Sequence, residues 1–268
     1  MGKSVNLAPA LLAALLVTSA CKAPEESHSK AIIGAVLIDG SGGPPMTNSM
    51  VVIAGDRIRG VGPASTVPIP AQADKINGGG RYVVPALVAV TANIQGRDEA
   101  AFAKAREAGS PAIGRIATLA DAQWMLDHGA TGFVGMIADT EVLDHEFLAK
   151  LRDLRITFAP ALAEAGPGLE IAKRNTLRLF QAGVPITLAG DGANPLREAE
   201  LLVDAGIPPL DVIVAATRNG AAALHDADAG VIQPGKRANL LLLSGNPGED
   251  IRNLGRVEMR LVNGEIAP

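Results

Sequence analysis

Between residues 83 and 224 short apolar runs alternate with amphipathic helical patterns, and no other feature of this 268-residue chain constrains its fold as tightly. The apolar runs are 83–90, 112–116, 131–137, 156–161 and 185–190; the helical patterns are 98–108, 119–128, 141–153, 169–182, 195–205 and 209–224. Repeated strand–helix units imply parallel strands covered by helices, in a barrel or an open sheet. A complete eightfold barrel needs about 200 residues or more. This stretch therefore holds five units, not eight. An incomplete parallel sheet leaves edges that invite pairing with other chains. Either a flattened half-barrel with helices on one side is expected, or a homo-oligomer formed through the open edges at 83–90 and 112–116.

The two flanks read differently. "AIIGAVLID" from Ala31 is strand-like, and "MVVIAGDRIRGVG" reads as two strands joined at Gly55-Asp56. At the far end "ANLLLLSG" (238–245) is a buried-looking strand, and "RVEMRLVNGEIAP" is a hairpin around Asn263-Gly264, a strong two-residue turn signal. Neither flank has strands enough for its own two-layer core. The expected fold is α/β: an incomplete (β/α) barrel over 83–230, with a small composite β-sandwich built from 31–82 and 231–268.

Composition narrows the function classes. The formal charge is −4 with no basic run, which removes the electrostatic footprint of a nucleic-acid binder. Aromatics make up 3% of the residues, too few for a surface that stacks bases or sugars. The histidines, His28, His128, His145 and His225, form no ligand-spaced pair, and one cysteine rules out an intrachain disulfide or a cysteine-based zinc cluster.

That cysteine closes "MGKSVNLAPALLAALLVTSAC", residues 1–21. A positive start at Lys3, a short apolar run and small residues before a cleavage point describe a secretory signal, too short to be a good membrane span. Cys21 directly after Ser19 and Ala20 resembles a bacterial lipoprotein signal, although Thr18 stands where that signal usually carries leucine. The expectation is an exported protein held at the membrane by a lipid on Cys21, with residues 22–30 as a polar tether that includes a solvated His28. Ordinary cleavage, leaving Cys21 as a free thiol, is the alternative.

Several stretches carry a more specific resemblance. "LIDGSGGPPMTNSMVVIAGDRIRGVGPAS", "GGGRYVVPALVAV", "ATLADAQWMLDHGATGFVGMIADTEVLDHEFLAKLRD", "GVPITLAGDGANP" and "ATRNGAAALHDADAGVIQPGKRANLLLLSGNP" together resemble the amidohydrolase superfamily, in its imidazolonepropionase-like and prolidase-like branch. The resemblance implies hydrolysis of C–N bonds, as in cyclic amides and Xaa-Pro peptides. In that chemistry one or two divalent metals, zinc among them, lower the pKa of a bound water and polarise the scissile carbonyl. It also implies a ligand set: His-x-His ending strand one, a carboxylated lysine on strand four, histidines ending strands five and six, and an aspartate ending strand eight.

Carried over by position, that set is eroded. Strand one offers Thr91 and Asn93, weak neutral donors beside the His, Cys or carboxylate that zinc prefers. Strands two to four are replaced by "QGRDEAAFAKAREAGSP", where Lys104 sits in a surface-type pattern. The strand-five histidine falls at Arg115, a permanent cation that only donates. The strand-six position is Gly135. Only the strand-eight aspartate is kept, as Asp191, and no resident metal or other cofactor is expected. Asn239 replaces a further, structural aspartate.

Each remaining candidate has a structural reading beside a functional one. Asp191 and Asp139 suit capping positions. Arg115 could neutralise Asp191 or contact an anionic ligand at the strand ends, where Asp139 could also contact substrate. His128 and His225 suit helix C-termini, and His145 reads as an exposed helix residue. Three functions follow: a degenerate amidohydrolase with little or no metal-dependent activity; an active hydrolase with a site rebuilt from Asp191, Asp139, Glu141 or Asn93; or a lipid-anchored module that binds a small molecule through Arg115.

Overall fold

The computed structural model describes Gly2, residues 29–141, 143–190, Gly192 and residues 194–268. Cys21, His28 and Asp191 lie outside the described residues, as does nearly all of the stretch expected to be an export signal and tether. The chain begins with β1 (Ser29–Leu37), β2 (Met46–Ala54), β3 (Arg57–Pro63), β4 (Asp74–Asn77) and β5 (Tyr82–Pro85). Gly34, at φ +84°, lies at a register shift in β1, a conformation that costs a glycine little. The two halves of β1 consequently take different parallel neighbours, β4 at residues 30–33 and β5 at residues 36–37. β2 and β3 form the expected antiparallel hairpin, with Gly55 at φ +58° in its turn.

The apolar run 83–90 is not one strand. Tyr82–Pro85 belongs to this first sheet, while Ala89–Val90 forms β6 of a second, parallel set. Between them Ala86 donates to the Asn239 carbonyl and Val88 to the Ala216 carbonyl. A proline brings no N–H to a ladder, and the crossing between the sheets follows Pro85.

The strand–helix units then run β6 (Ala89–Val90), α1 (Glu99–Glu107), β7 (Ile113–Ile116), α2 (Leu119–Asp127), β8 (Gly132–Gly135), α3 (His145–Asp153), β9 (Thr157–Ala159), α4 (Leu169–Gln181), β10 (Leu188–Ala189) and α5 (Pro195–Asp204). Asp98, Thr118, Asp144 and Asn194 cap α1, α2, α3 and α5 through side-chain oxygens that accept first-turn N–H groups. Asp144 sets the start of α3 at His145 rather than at 141. Lys104 lies in the last turn of α1, where a cation suits the helix terminus.

The parallel strands do not leave the open edge expected of five units. β7, β8 and β9 pair in order, and β10 pairs with β6. Bridges between Phe158 and Ile186 and between Ile94 and Gly114 join the two groups, so the pairing returns to its starting strand. The bore of a closed set narrows as strand number falls. Its inward cluster is accordingly small: Val90, Ile113, Val134, Ala159 and Ala189, one from each strand. The larger side chains, including Phe102, Phe133, Phe158, Leu151 and Leu179, pack in a separate core with residues of the helices.

After α5 the chain passes through α6 (Pro209–Val214), a π-helical stretch at 215–219 and α7 (Gly220–Ala223), then returns to the first sheet as β11 (Leu240–Leu243), β12 (Val257–Val262) and β13 (Glu265–Ala267). Both flanks therefore share one eight-stranded mixed sheet, ordered β13-β12-β11-β5-β1-β2-β3 with β4 beside β1. One apolar cluster takes Ile32, Val51, Ile58, Ile76, Val83, Leu242 and Leu261 from seven of these strands. Gly264 lies so close to the Gly55 carbonyl that a Cβ would approach it to 1.9 Å, and Lys30 donates to Glu265 at 2.8 Å, so the first and last hairpins meet. The fold is α/β with mixed sheets. Among the described residues no helix is long and apolar enough to cross a membrane.

Candidate functional site at the ends of the parallel strands

The carried-over positions line up around the C-terminal ends of the parallel strands, where chemistry is placed in folds of this type. Thr91 is exposed and packs beside Gly190. Asn93 acts as an extra rung between strands. Its Nδ2 donates to the Pro111 carbonyl at 2.7 Å, and its Oδ1 accepts from the Ile113 N–H at 2.9 Å. The main chain continues the seam, with Ile94 N–H donating to the Ile113 carbonyl and Arg115 N–H to the Ile94 carbonyl. An amide side chain with one donor and one acceptor can copy a peptide group in this way. A neutral imidazole also has one donor and one acceptor, but they diverge across the ring instead of lying side by side as in an amide.

Arg115 is ion-paired with Glu164, on the turn after β9. Gly135 adopts φ +121°, and a Cβ there would stand 2.1 Å from the Ile116 carbonyl oxygen, so this position excludes every side chain. Asp139 accepts from the Leu119 N–H at 3.1 Å, at the start of α2. Glu141 is ion-paired with Arg174. Arg115, Gly135 and Glu164 share a cavity of about 320 Å³ walled by Ile116, Met136 and Ala165. The histidines stand elsewhere. His128 stacks on Trp124 and its Nδ1 lies 2.7 Å from the Trp124 carbonyl, His145 opens α3 exposed to solvent, and His225 follows α7.

Two carboxylates that matter here carry no motif. Glu198 of α5 is fully buried and accepts from the Leu162 and Ala163 N–H groups at 3.0 and 2.8 Å. Burial pushes its carboxyl above the ordinary glutamate range, against those backbone donors, which favour the charged form. It thereby fixes the turn that carries Glu164, and through it the partner of Arg115. A signal existed: Glu198 is in helical register with buried Leu201, Leu202 and Ala205, which places a charge on the core face. Glu164 gave none.

Residues 169–267 match the amidohydrolase family. The match therefore covers α4 to β13, the last parallel strand and the return to the mixed sheet. Over those residues the chain is similar to the amidohydrolase family. The chain is 40% identical over 75 residues to imidazolonepropionase from Cutibacterium acnes, covering 25% of the chain and 19% of the relative. It is 38% identical over 89 residues to the Streptomyces griseus imidazolonepropionase, covering 29% and 23%. It thus spans about a fifth of the length of the curated relatives it matches. Its fold is similar to that of a Xaa-Pro dipeptidase with bound methionine (TM-score 0.77, 12% identity, 90% of this chain and 100% of the other). It is also similar to molinate hydrolase (TM-score 0.75, 15% identity, 91% and 95%).

The residues present at the positions that the resemblance assigns to metal ligands do not fit a divalent metal. Asn93 has committed both amide groups to the backbone, Arg115 brings a cation, and Gly135 has neither a donor nor room for one. Among the described residues no group of three or more His, Cys, Asp or Glu is arranged to hold a metal ion. Zinc sites need about four donors of the His, Cys or carboxylate kind, whereas Asp191 is the single such residue at the carried-over positions.

Proposed function

We propose that this chain keeps the amidohydrolase architecture without the superfamily's metal-assisted hydrolysis. The observation that carries the reading is the employment of Asn93: its amide is spent closing the seam between β6 and β7, so the place of one ligand has become part of the framework. Gly135 and the Arg115–Glu164 pair support it. The test is metal content. The purified protein, incubated with zinc or manganese and desalted, is expected to retain well under one equivalent, and Asp191→Ala to behave identically. About one equivalent in the parent, lost in Asp191→Ala, would restore an active hydrolase with a rebuilt site and justify assays on lactams, amides and Xaa-Pro peptides.

A second reading, small-molecule binding at the strand ends, is favoured by the cavity that Arg115 and Glu164 share. A ligand that protects Arg115 from dicarbonyl modification supports it; unchanged modification across a carboxylate and amino-acid panel removes it. Export and lipidation at Cys21 complete the proposal. Labelled palmitate incorporated by the parent and not by Cys21→Ser is the expected outcome, and a soluble, unlabelled parent refutes the anchor. The remaining sheet edges are β3 and β13, where Ile266 is 53% exposed, so self-association is proposed there. A monomeric sedimentation profile at high concentration would remove that part.

A further inference from the structure

A second cavity lies away from the strand ends discussed above. It has a volume of about 470 Å³ and forms where the loop after β1, the end of α7 and the segment 225–236 meet. His225 also lines a neighbouring cavity with Thr131 and Ile156, which lead into β8 and β9, so this is the opposite end of the parallel strands from Arg115.

Three features distinguish it from a chance dent. First, it contains two cations whose hydrogen bonds go to neutral groups. Arg218 donates through Nη1 to the Ser41 carbonyl, and Lys236 donates through Nζ to the Ala227 carbonyl at 2.6 Å. A guanidinium has five N–H donors and an ammonium three, so both keep donors in hand. Second, the lining carboxylate is engaged elsewhere: Asp226 holds Arg237 at 2.9 Å through one oxygen and the Asp228 N–H at 3.1 Å through the other. Neither cation is therefore ion-paired with the lining carboxylate; Asp228, outside the lining and paired with Arg57, lies near enough to Lys236 to feel its charge. Third, His225 follows the C-cap Leu224 of α7 with φ +57°, the left-handed position where helices commonly place glycine. A side chain is kept there despite the backbone cost, and it lines the cavity. Alanines from α7 and the following turn, with Val231, supply the apolar part of the wall, beside the polar Ser41 and Gln233.

We infer that this cavity binds a small organic carboxylate with a short apolar body, its carboxylate held by Arg218 and Lys236 and its body lying on the alanines and Val231. Guanidinium and carboxylate match in a planar, two-bond geometry. The volume lies within the usual range of ligand sites, roughly 300–1,000 Å³. The inference is independent of the reading given for the strand ends.

The test uses the full chain and calorimetric or NMR titration with hexanoate, hexanol, acetate and inorganic phosphate. Hexanoate is expected to bind, with hexanol, acetate and phosphate each at least tenfold weaker. Arg218→Gln and Lys236→Gln are expected to weaken hexanoate about tenfold each, corresponding to about 1.4 kcal/mol, with thermal melts matching the parent. Arg115→Gln, at the other end, should leave it unchanged. His225→Gly relieves the left-handed backbone, so it should melt no earlier than the parent yet bind hexanoate several-fold more weakly. Absence of hexanoate binding overturns the inference, as does hexanol binding equally well, or affinity indifferent to Arg218→Gln and Lys236→Gln. Equal binding of phosphate or acetate would show that the apolar wall takes no part and would overturn the assignment of an apolar body.

Discussion

Replacing Asn93 by alanine tests the idea that a former ligand position now holds the framework. The substitution removes two hydrogen bonds, Nδ2 to the Pro111 carbonyl and Oδ1 from the Ile113 N–H. Pro111 is half-buried and can rebond to water, so its loss counts little. Ile113 is 1% exposed, and its N–H is left beside the interior of the strand set. A net hydrogen bond contributes about 0.5–1.5 kcal/mol, and a buried donor left unpaired costs about 1–3 kcal/mol. The expected loss is therefore about 2–3 kcal/mol. For a domain of this size that lowers Tm by roughly 4–12 °C, at about 2–4 °C per kcal/mol. Urea unfolding followed by far-UV circular dichroism gives the free energy, and the m-value checks that the native state has not loosened. Asn93→His is the sharper variant. If this position still belonged to a metal site, histidine would restore a ligand and zinc would stabilise the protein. If it belongs to the seam, histidine destabilises nearly as much as alanine, and zinc does not rescue it. A loss under about 0.5 kcal/mol for Asn93→Ala, or zinc rescue of Asn93→His, refutes the argument.

Other substitutions probe neighbouring features. Gly135→Ala places a methyl against the Ile116 carbonyl on a left-handed backbone and is expected to cost more than about 3 kcal/mol, read as lost soluble yield or a strongly shifted urea midpoint. Glu198 supplies a pH dependence. Its folded pKa is raised by burial above the ordinary value of 4.5, so its contribution is fully present below that value and is lost as pH rises through the folded pKa. The difference in stability between parent and Glu198→Gln should thus change across that window, in favour of the variant at higher pH; a constant difference refutes the assignment. Lys173→Met removes contacts to Asp204 and Glu170, both more than half exposed, and is expected to change stability by under about 1 kcal/mol in thermal melts.

Helices α1, α2, α3 and α5 were legible because each announces itself twice, by apolar spacing and by a cap. Asp98, Thr118 and Asn194 fix α1, α2 and α5 close to where periodicity places them, and only the start of α3 shifts, to the residue after Asp144. The strands were less legible where an apolar run crosses from one sheet to another. "VVPALVAV" is uniformly hydrophobic because both β5 and β6 are buried, and nothing in its pattern separates them. β4 escaped notice because "DKIN" is short and mostly exposed, with Ile76 its single buried residue. Closure of the parallel set depends on the Asn93 amide, and the sequence shows an asparagine without showing what it reaches. At the site, sequence placed Thr91, Asn93, Arg115 and Gly135 at the strand ends, but not Glu164, whose role comes only from proximity in space.

The mixed sheet also dictates an order of assembly. β5 lies between β1 and β11, and Lys30 meets Glu265 across almost the whole chain. Contacts this far apart in sequence form late, because a long loop must be closed before they contribute. On the ribosome, residues 29–85 would emerge with half of their sheet missing, while the units from β6 to β10 find their neighbours locally. The first five strands therefore stay partly unpaired until residue 243 and its followers have been made. During that interval they are open to chaperones or to other nascent chains. A chain in that interval holds its parallel units formed while the edge of β5 waits for β11.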